Sequence, residues 1–213
     1  MILCLVTDRR RFASIANLLE QIEAAARAGV DFIQIRENDL DDADLVRLVR
    51  ESVRRTEGTL AKVLVNDRLD VALASGAAGV HLKERSFSPA ELRPVVPEGF
   101  VIGCSVHSVD AAVARQDADF LVAGTVRPTA SKPDANRLDE PGLRAIVAAI
   151  GKPVLGIGGL DLSTISLLHA SGAAGMAAIG AFLVSGSGEE ISLNVQKRVT
   201  ALRFALETAR RRT

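Results

Sequence analysis

Polar residues with anion-binding chemistry stand where the apolar runs of this sequence break off. Gln34 and Arg36 fall in FIQIRE, Asn66 and Asp67 close KVLVND, and Ser105 lies in FVIGCSV just ahead of His107. The run FLVAGTV leads straight into RPTASKP, which brings Thr129, Ser131 and Lys132 together. Gly158 and Gly159 close PVLGIGG, and Gly180 lies in AIGAF. Arginine and lysine neutralise phosphate oxygens, and hydroxyls donate to them. Glycines let backbone N–H groups approach such a ligand closely. After GIGGLDLST a helix start is expected, whose dipole would favour an anion. The plain alternative for each position is structural: turn residues in a solvated loop for RPTASKP, and helix caps for Asp8 and Ser108. Gln34 and Arg36 resist that reading, because residues two apart on a strand share a face and neither has a capping role there.

The elements that must position these groups repeat at a regular pace. Short apolar, β-branched runs begin at residues 2, 32, 62, 79, 100, 120, 153 and 175. Amphipathic stretches separate them, among them SIANLLEQIEAAARAG, DADLVRLVRESVRRTEG and PGLRAIVAAIG, with apolar residues at helical spacing and glycine near their ends. Alternating strands and helices predict a parallel sheet with right-handed crossovers, and eight such units predict a closed (β/α)8 TIM barrel over residues 1–213 as one domain. An open doubly wound sheet would leave two units unexplained. SGAAGV and SGAAGM read as an echo half a barrel apart. In a barrel the active face lies at the strand C-termini, where these polar residues collect, and loops seven and eight commonly hold phosphate. The connection after strand six, about 14 residues, has the length of a functional loop.

The 26 basic and 26 acidic residues of this 213-residue chain balance, with no one-sign block before ARRRT, which excludes a nucleic-acid or membrane surface from the expectation. No run approaches the roughly 20 apolar residues of a membrane span, and the first residues do not read as a signal peptide. Cys4 and Cys104 lie in apolar runs, as small buried hydrophobes of a reducing compartment would. The expectation is a cytoplasmic protein acting on small phosphorylated molecules. Exposed apolar helix faces would point to a homodimer.

QIRE, VNDRLDVALASGAAGVHL, IGCSVHS, GTVRPTASK, GIGGL and AAIGAF, in this order and spacing, resemble the thiamine-phosphate synthase and TenI superfamily over essentially the whole chain. The resemblance implies a barrel enzyme of thiamine biosynthesis. Its synthase branch joins hydroxymethylpyrimidine diphosphate to thiazole phosphate and releases pyrophosphate, with Mg2+ on the leaving group. By the same resemblance Gln34 lies at the pyrimidine and thiazole pocket, Arg36 and Asn66 contact diphosphate, and Asp67 is a Mg2+ ligand. Ser105 contacts diphosphate or pyrimidine, Thr129 and Ser131 hold thiazole phosphate, and Lys132 neutralises the departing diphosphate. Gly158, Gly159, Ile179 and Gly180 form the backbone phosphate cradle. The chain departs from the pattern at two positions: Asn38 replaces a lysine, and Ser86 in KERS stands where a second metal-binding aspartate is usual, leaving Glu84 or Lys83 to compensate. RSFSPAELR and IGCSVHS look more like the TenI side, which implies a thiazole tautomerase, but that branch has a proton-transferring histidine where this chain has Thr125. A non-catalytic thiazole-phosphate-binding relative would account for both departures.

Overall fold

The computed structural model describes residues 1–128, 137–184, 186 and 188–210. The eight strands are β1 Ile2–Val6, β2 Phe32–Ile35, β3 Lys62–Asn66, β4 Gly79–Leu82, β5 Val101–Val106, β6 Phe120–Gly124, β7 Val154–Ile157 and β8 Gly175–Ala178. Each pairs in parallel with the next, and β8 pairs with β1 to close the barrel. The strands are buried on both faces, which is why their sequences read as continuous apolar runs.

Helices follow each strand: α1 Ile15–Arg27, α2 Asp42–Thr56, α3 Leu69–Ser75, α4 Pro89–Leu92, α5 Val109–Ala114, α6 Asp139–Ala149, α7 Ile165–Ser171 and α8 Glu189–Arg210. Local chemistry starts and stops them. Ser14 caps α1 by accepting from the Asn17 N–H, and Asp41 caps α2 from Asp44. Acidic Asp42 and Asp44 in the first turn of α2, with Arg54 and Arg55 in its last, suit the helix dipole. The apolar stripe of α1, with Leu18, Ile22 and Ala25, is buried against the barrel.

Cys4, Val6, Leu64, Val101, Phe120, Val122, Leu155 and Ala177 fill the barrel interior, while the larger core lies between strands and helices. At the strand N-termini the rings of Phe32 and Phe120 stack with centroids 4.8 Å apart. The residue before each ring is an aspartate with the same task four strands apart. Asp31 accepts the Leu3 N–H at 2.7 Å and pairs with Arg203 at 2.6 Å; Asp119 accepts the Ile102 N–H at 2.7 Å and pairs with Arg93 at 2.6 Å. The half-barrel echo therefore extends beyond SGAAG to this Asp-Phe pair. Arg203 of α8 also donates to the carbonyls of Met1, at 2.7 Å, and of Gly29.

Cys4 and Cys104 are free and buried, and burial pushes their thiols up to about 12 and about 11. Among the described residues no helix is long and apolar enough to cross a membrane. Leu193 and Phe204 are exposed on α8, the kind of helix face on which the homodimer expectation rests.

Candidate active site at the strand C-termini

Strand periodicity carries Gln34, Asn66, His81 and Ser105 into the barrel from β2 to β5, with Arg36, Lys83 and His107 two residues further on at the mouth. Gln34 Nε2 donates to Asn66 Oδ1 at 3.0 Å, and Asn66 Nδ2 donates to Asn38 Oδ1 at 3.1 Å. Gln34 and Asn66 are buried, so this amide chain fixes the orientation of both. Asn38, which the resemblance marks as the loss of a cation, thus has a partner of its own.

Beside the amides, where His81 is the register partner of Asn66, His81 Nε2 lies 2.9 Å from Ser105 Oγ. Burial pushes the imidazole down to about 4, so near neutral pH it is an uncharged member of the barrel interior. The Asp67 charge favours the protonated ring and the Arg36 charge disfavours it, each less than burial does. The backbone N–H of Arg36 donates to Thr7 Oγ1 at 2.9 Å, while its guanidinium has no partner among the described residues.

Asp67 follows β3 in the left-handed region, φ 60°, with its N–H on the His81 carbonyl at 2.9 Å. That turn aims its carboxylate at the loop after β4. Lys83 Nζ lies 2.7 Å from Oδ2, and Oδ1 accepts the Lys83 N–H at 3.3 Å and the Ser86 hydroxyl. Burial alone would raise the carboxyl, but the Lys83 and Ser86 hydrogen bonds outweigh it and hold Asp67 below the usual carboxylate range. Glu84 turns elsewhere: its Oε2 receives both the backbone N–H of His107, at 2.7 Å, and His107 Nδ1, at 2.8 Å. Arg115 braces the loop by donating to the carbonyls of Glu84, Ser86 and Phe87 at 2.5, 2.7 and 2.6 Å.

Across the mouth, Gly158 and Gly159 have φ of +101° and +61°. A Cβ at Gly158 would stand 2.5 Å from Thr125 Cγ2, and one at Gly159 would stand 2.5 Å from the Pro128 carbonyl oxygen. Packing against the chain leaving β6 is therefore enough to require glycine there. Gly180 differs, with open space where a Cβ would be, next to the half-buried Ile179. Thr129, Ser131 and Lys132 lie outside the described residues.

One expectation is corrected. Ser108 caps α5 by accepting from Ala111, but Asp8 makes no side-chain cap; it pairs with Arg10 at 3.0 Å and Arg11 at 3.2 Å because those cations follow directly. After the glycines that follow β7, Asp161 takes the Ser163 N–H and hydroxyl, at 2.8 and 2.6 Å, so its own carboxylate caps the helical turn Leu162–Thr164.

Glu37 was not singled out by the sequence. It is 4% exposed, pushed up by burial, and receives the Arg9 N–H on both oxygens at 3.0 Å. Strand alternation from Arg36 was the available signal, since it turns Glu37 away from the mouth. His169 serves packing, with Nε2 2.9 Å from the Leu206 carbonyl.

A hollow of about 470 Å3 opens at the opposite end, among Phe32, Arg93, Asp119 and Phe120. Its charged pair is the Arg93–Asp119 clamp already described, and strand N-termini are the stability face of a barrel. The mouth is the candidate site.

A (β/α)8 barrel with its polar residues gathered at the strand C-termini is the architecture of a barrel enzyme. The chain belongs to the thiamine monophosphate synthase family, whose TMP-TENI profile matches residues 3–182. It is 36% identical over 180 residues to a putative thiamine-phosphate synthase 2 of Aquifex aeolicus, covering 84% of this chain and 95% of that one. A thiamine-phosphate synthase of Methanoculleus marisnigri is 38% identical over 184 residues, covering 83% and 85%. Among solved structures, a thiamine phosphate pyrophosphorylase from Pyrococcus furiosus superposes with a TM-score of 0.81 at 30% identity, covering 98% of this chain and 96% of that chain.

The expected Mg2+ finds a poor donor set. Among the described residues no group of three or more His, Cys, Asp or Glu side chains is placed to hold a metal. Asp67 is a single carboxylate with both oxygens engaged, Glu84 is committed to His107, and Ser86 offers only a hydroxyl. These residues do not fit a protein-held divalent ion.

Proposed function

We propose that the chain is a transferase of the thiamine-phosphate synthase type, condensing hydroxymethylpyrimidine diphosphate with thiazole phosphate. The observation that carries this reading is family membership combined with a mouth where Arg36 follows β2 two residues beyond Gln34, itself fixed on Asn66. In the reaction the methylene C–O bond breaks and its electron pair leaves on diphosphate. The thiazole nitrogen then supplies the pair for the new C–N bond. Charge accumulates on the leaving oxygens, so cations at the mouth are what the step requires.

Arg36 is assigned to the diphosphate, together with Lys132. The Gln34 and Asn66 amides orient the pyrimidine and diphosphate, and Ser105, held by His81, is assigned to the same ligands. Thr129, Ser131 and the backbone at Gly158, Gly159, Ile179 and Gly180 are assigned to thiazole phosphate. No proton need be abstracted from the nitrogen, so Thr125 in place of a histidine is no handicap. The test is to incubate the purified protein with both substrates, with and without Mg2+, and follow thiamine phosphate and pyrophosphate together. Failure to form either product under both conditions would overturn the proposal.

A tautomerase is the second reading, favoured by one observation: Glu84 holds Nδ1 of His107 at the end of β5, as a carboxylate orients a proton-transferring imidazole. Turnover of a thiazole phosphate carboxylate tautomer, lost in His107→Gln, would establish it.

A further inference from the structure

We propose that Lys83 is the resident cation of the diphosphate site, occupying by its ammonium the place at Asp67 that a divalent ion would otherwise take. The inference rests on the synthase reading and deepens it.

Lys83 Nζ lies 2.7 Å from Asp67 Oδ2, and the same residue's N–H reaches Oδ1 at 3.3 Å. Ser86 donates its hydroxyl to that Oδ1. One loop thus supplies three donors to one carboxylate, and the loop itself is held from outside. Arg115 binds three of its carbonyls, Glu84 is tied to His107, and Ser88 forms a capping box with Glu91 at the start of α4. The ammonium is therefore positioned by the fold and not by chance contact of a flexible stem. It remains more than half exposed at the mouth, open to an anion arriving from solvent. Magnesium wants near-octahedral oxygen ligands, usually one or two carboxylates with substrate phosphates and water. At Asp67 it would first have to displace an ammonium and a hydroxyl.

A bound diphosphate then receives Lys83 from the β4 side and Arg36 from the β2 side. Binding of inorganic pyrophosphate, measured by titration calorimetry in EDTA and again in excess Mg2+, tests this apart from turnover. Wild-type protein should bind without metal and gain little from Mg2+. Lys83→Met should bind about tenfold more weakly in EDTA, the loss expected for one charge-assisted contact, and recover when Mg2+ is added. Lys83→Arg, which keeps the charge, should stay closer to wild type in EDTA. Wild-type binding that requires Mg2+, with Lys83→Met indistinguishable from it, would overturn the role of Lys83 and leave the synthase reading standing. No binding of pyrophosphate by wild type under either condition would overturn both.

Discussion

Lowering the pH from 7 to 5 should cost the barrel about 2 kcal/mol of stability through one side chain, His81. The imidazole is 3% exposed and hydrogen-bonded to Ser105, and burial pushes it from the ordinary 6.5 down to about 4. Asp67 pulls it up, but burial, reinforced by the smaller push of Arg36, outweighs that pull. Between these values the unfolded chain binds a proton that the folded chain refuses, so stability falls as pH falls. The slope inside the window is about 1.4 kcal/mol per pH unit.

His81→Gln keeps a side chain able to meet Ser105 and removes the titration. Urea unfolding of both proteins across this range isolates the effect as the difference of their slopes. Carboxylates held below the usual range, such as Asp8 and Asp67, lose their contribution only at lower pH. Glu37, pushed up by burial, acts with the opposite sign, favouring the folded chain as pH drops. Both contributions are common to the two proteins and cancel in the comparison. Parallel curves for wild type and His81→Gln would refute the assignment of a buried neutral imidazole.

Glycine substitutions at the mouth should separate packing from ligand approach. Gly158→Ala, with φ +101° and a Cβ 2.5 Å from the Thr125 methyl, should lose about 2 kcal/mol or more in urea unfolding. Gly180→Ala, with open space at its Cβ, should leave stability unchanged and weaken thiazole phosphate binding in a direct titration; equal stability of both variants would contradict the geometry. Cys4 and Cys104, pushed up by burial, should resist a thiol reagent at about pH 8 in the folded protein and react once urea unfolds it. Rapid labelling of the native chain would contradict their burial.

The strands were legible because each is buried on both faces and so writes itself as a short β-branched run. The alternation along them was legible too, placing Gln34 with Arg36, His81 with Lys83 and Ser105 with His107. What escaped the sequence depends on contacts between loops. Nothing in KERS tells Lys83 to meet Asp67 and Glu84 to meet His107, because the choice is made by the left-handed turn at Asp67 and by the Arg115 brace. GIGGLDLST promised a free helix end, yet its own aspartate fills that end. Asp8 looked like a cap and became a counter-ion because arginines follow it.

The paired aspartates below the barrel also set an order of assembly. Asp119 takes its arginine from Arg93, upstream of it, so that lock is available as soon as β6 leaves the ribosome. Asp31 takes Arg203, 172 residues away, and the same arginine gathers Met1 and Gly29. The seam between β1 and β8 is thus fastened by the helix that follows β8. Until β8 itself is made, β1 has no partner on that side, an open edge of the kind that invites pairing with other chains. A ring of this design hides its first edge when β8 arrives and is clasped across that seam only when Arg203 follows.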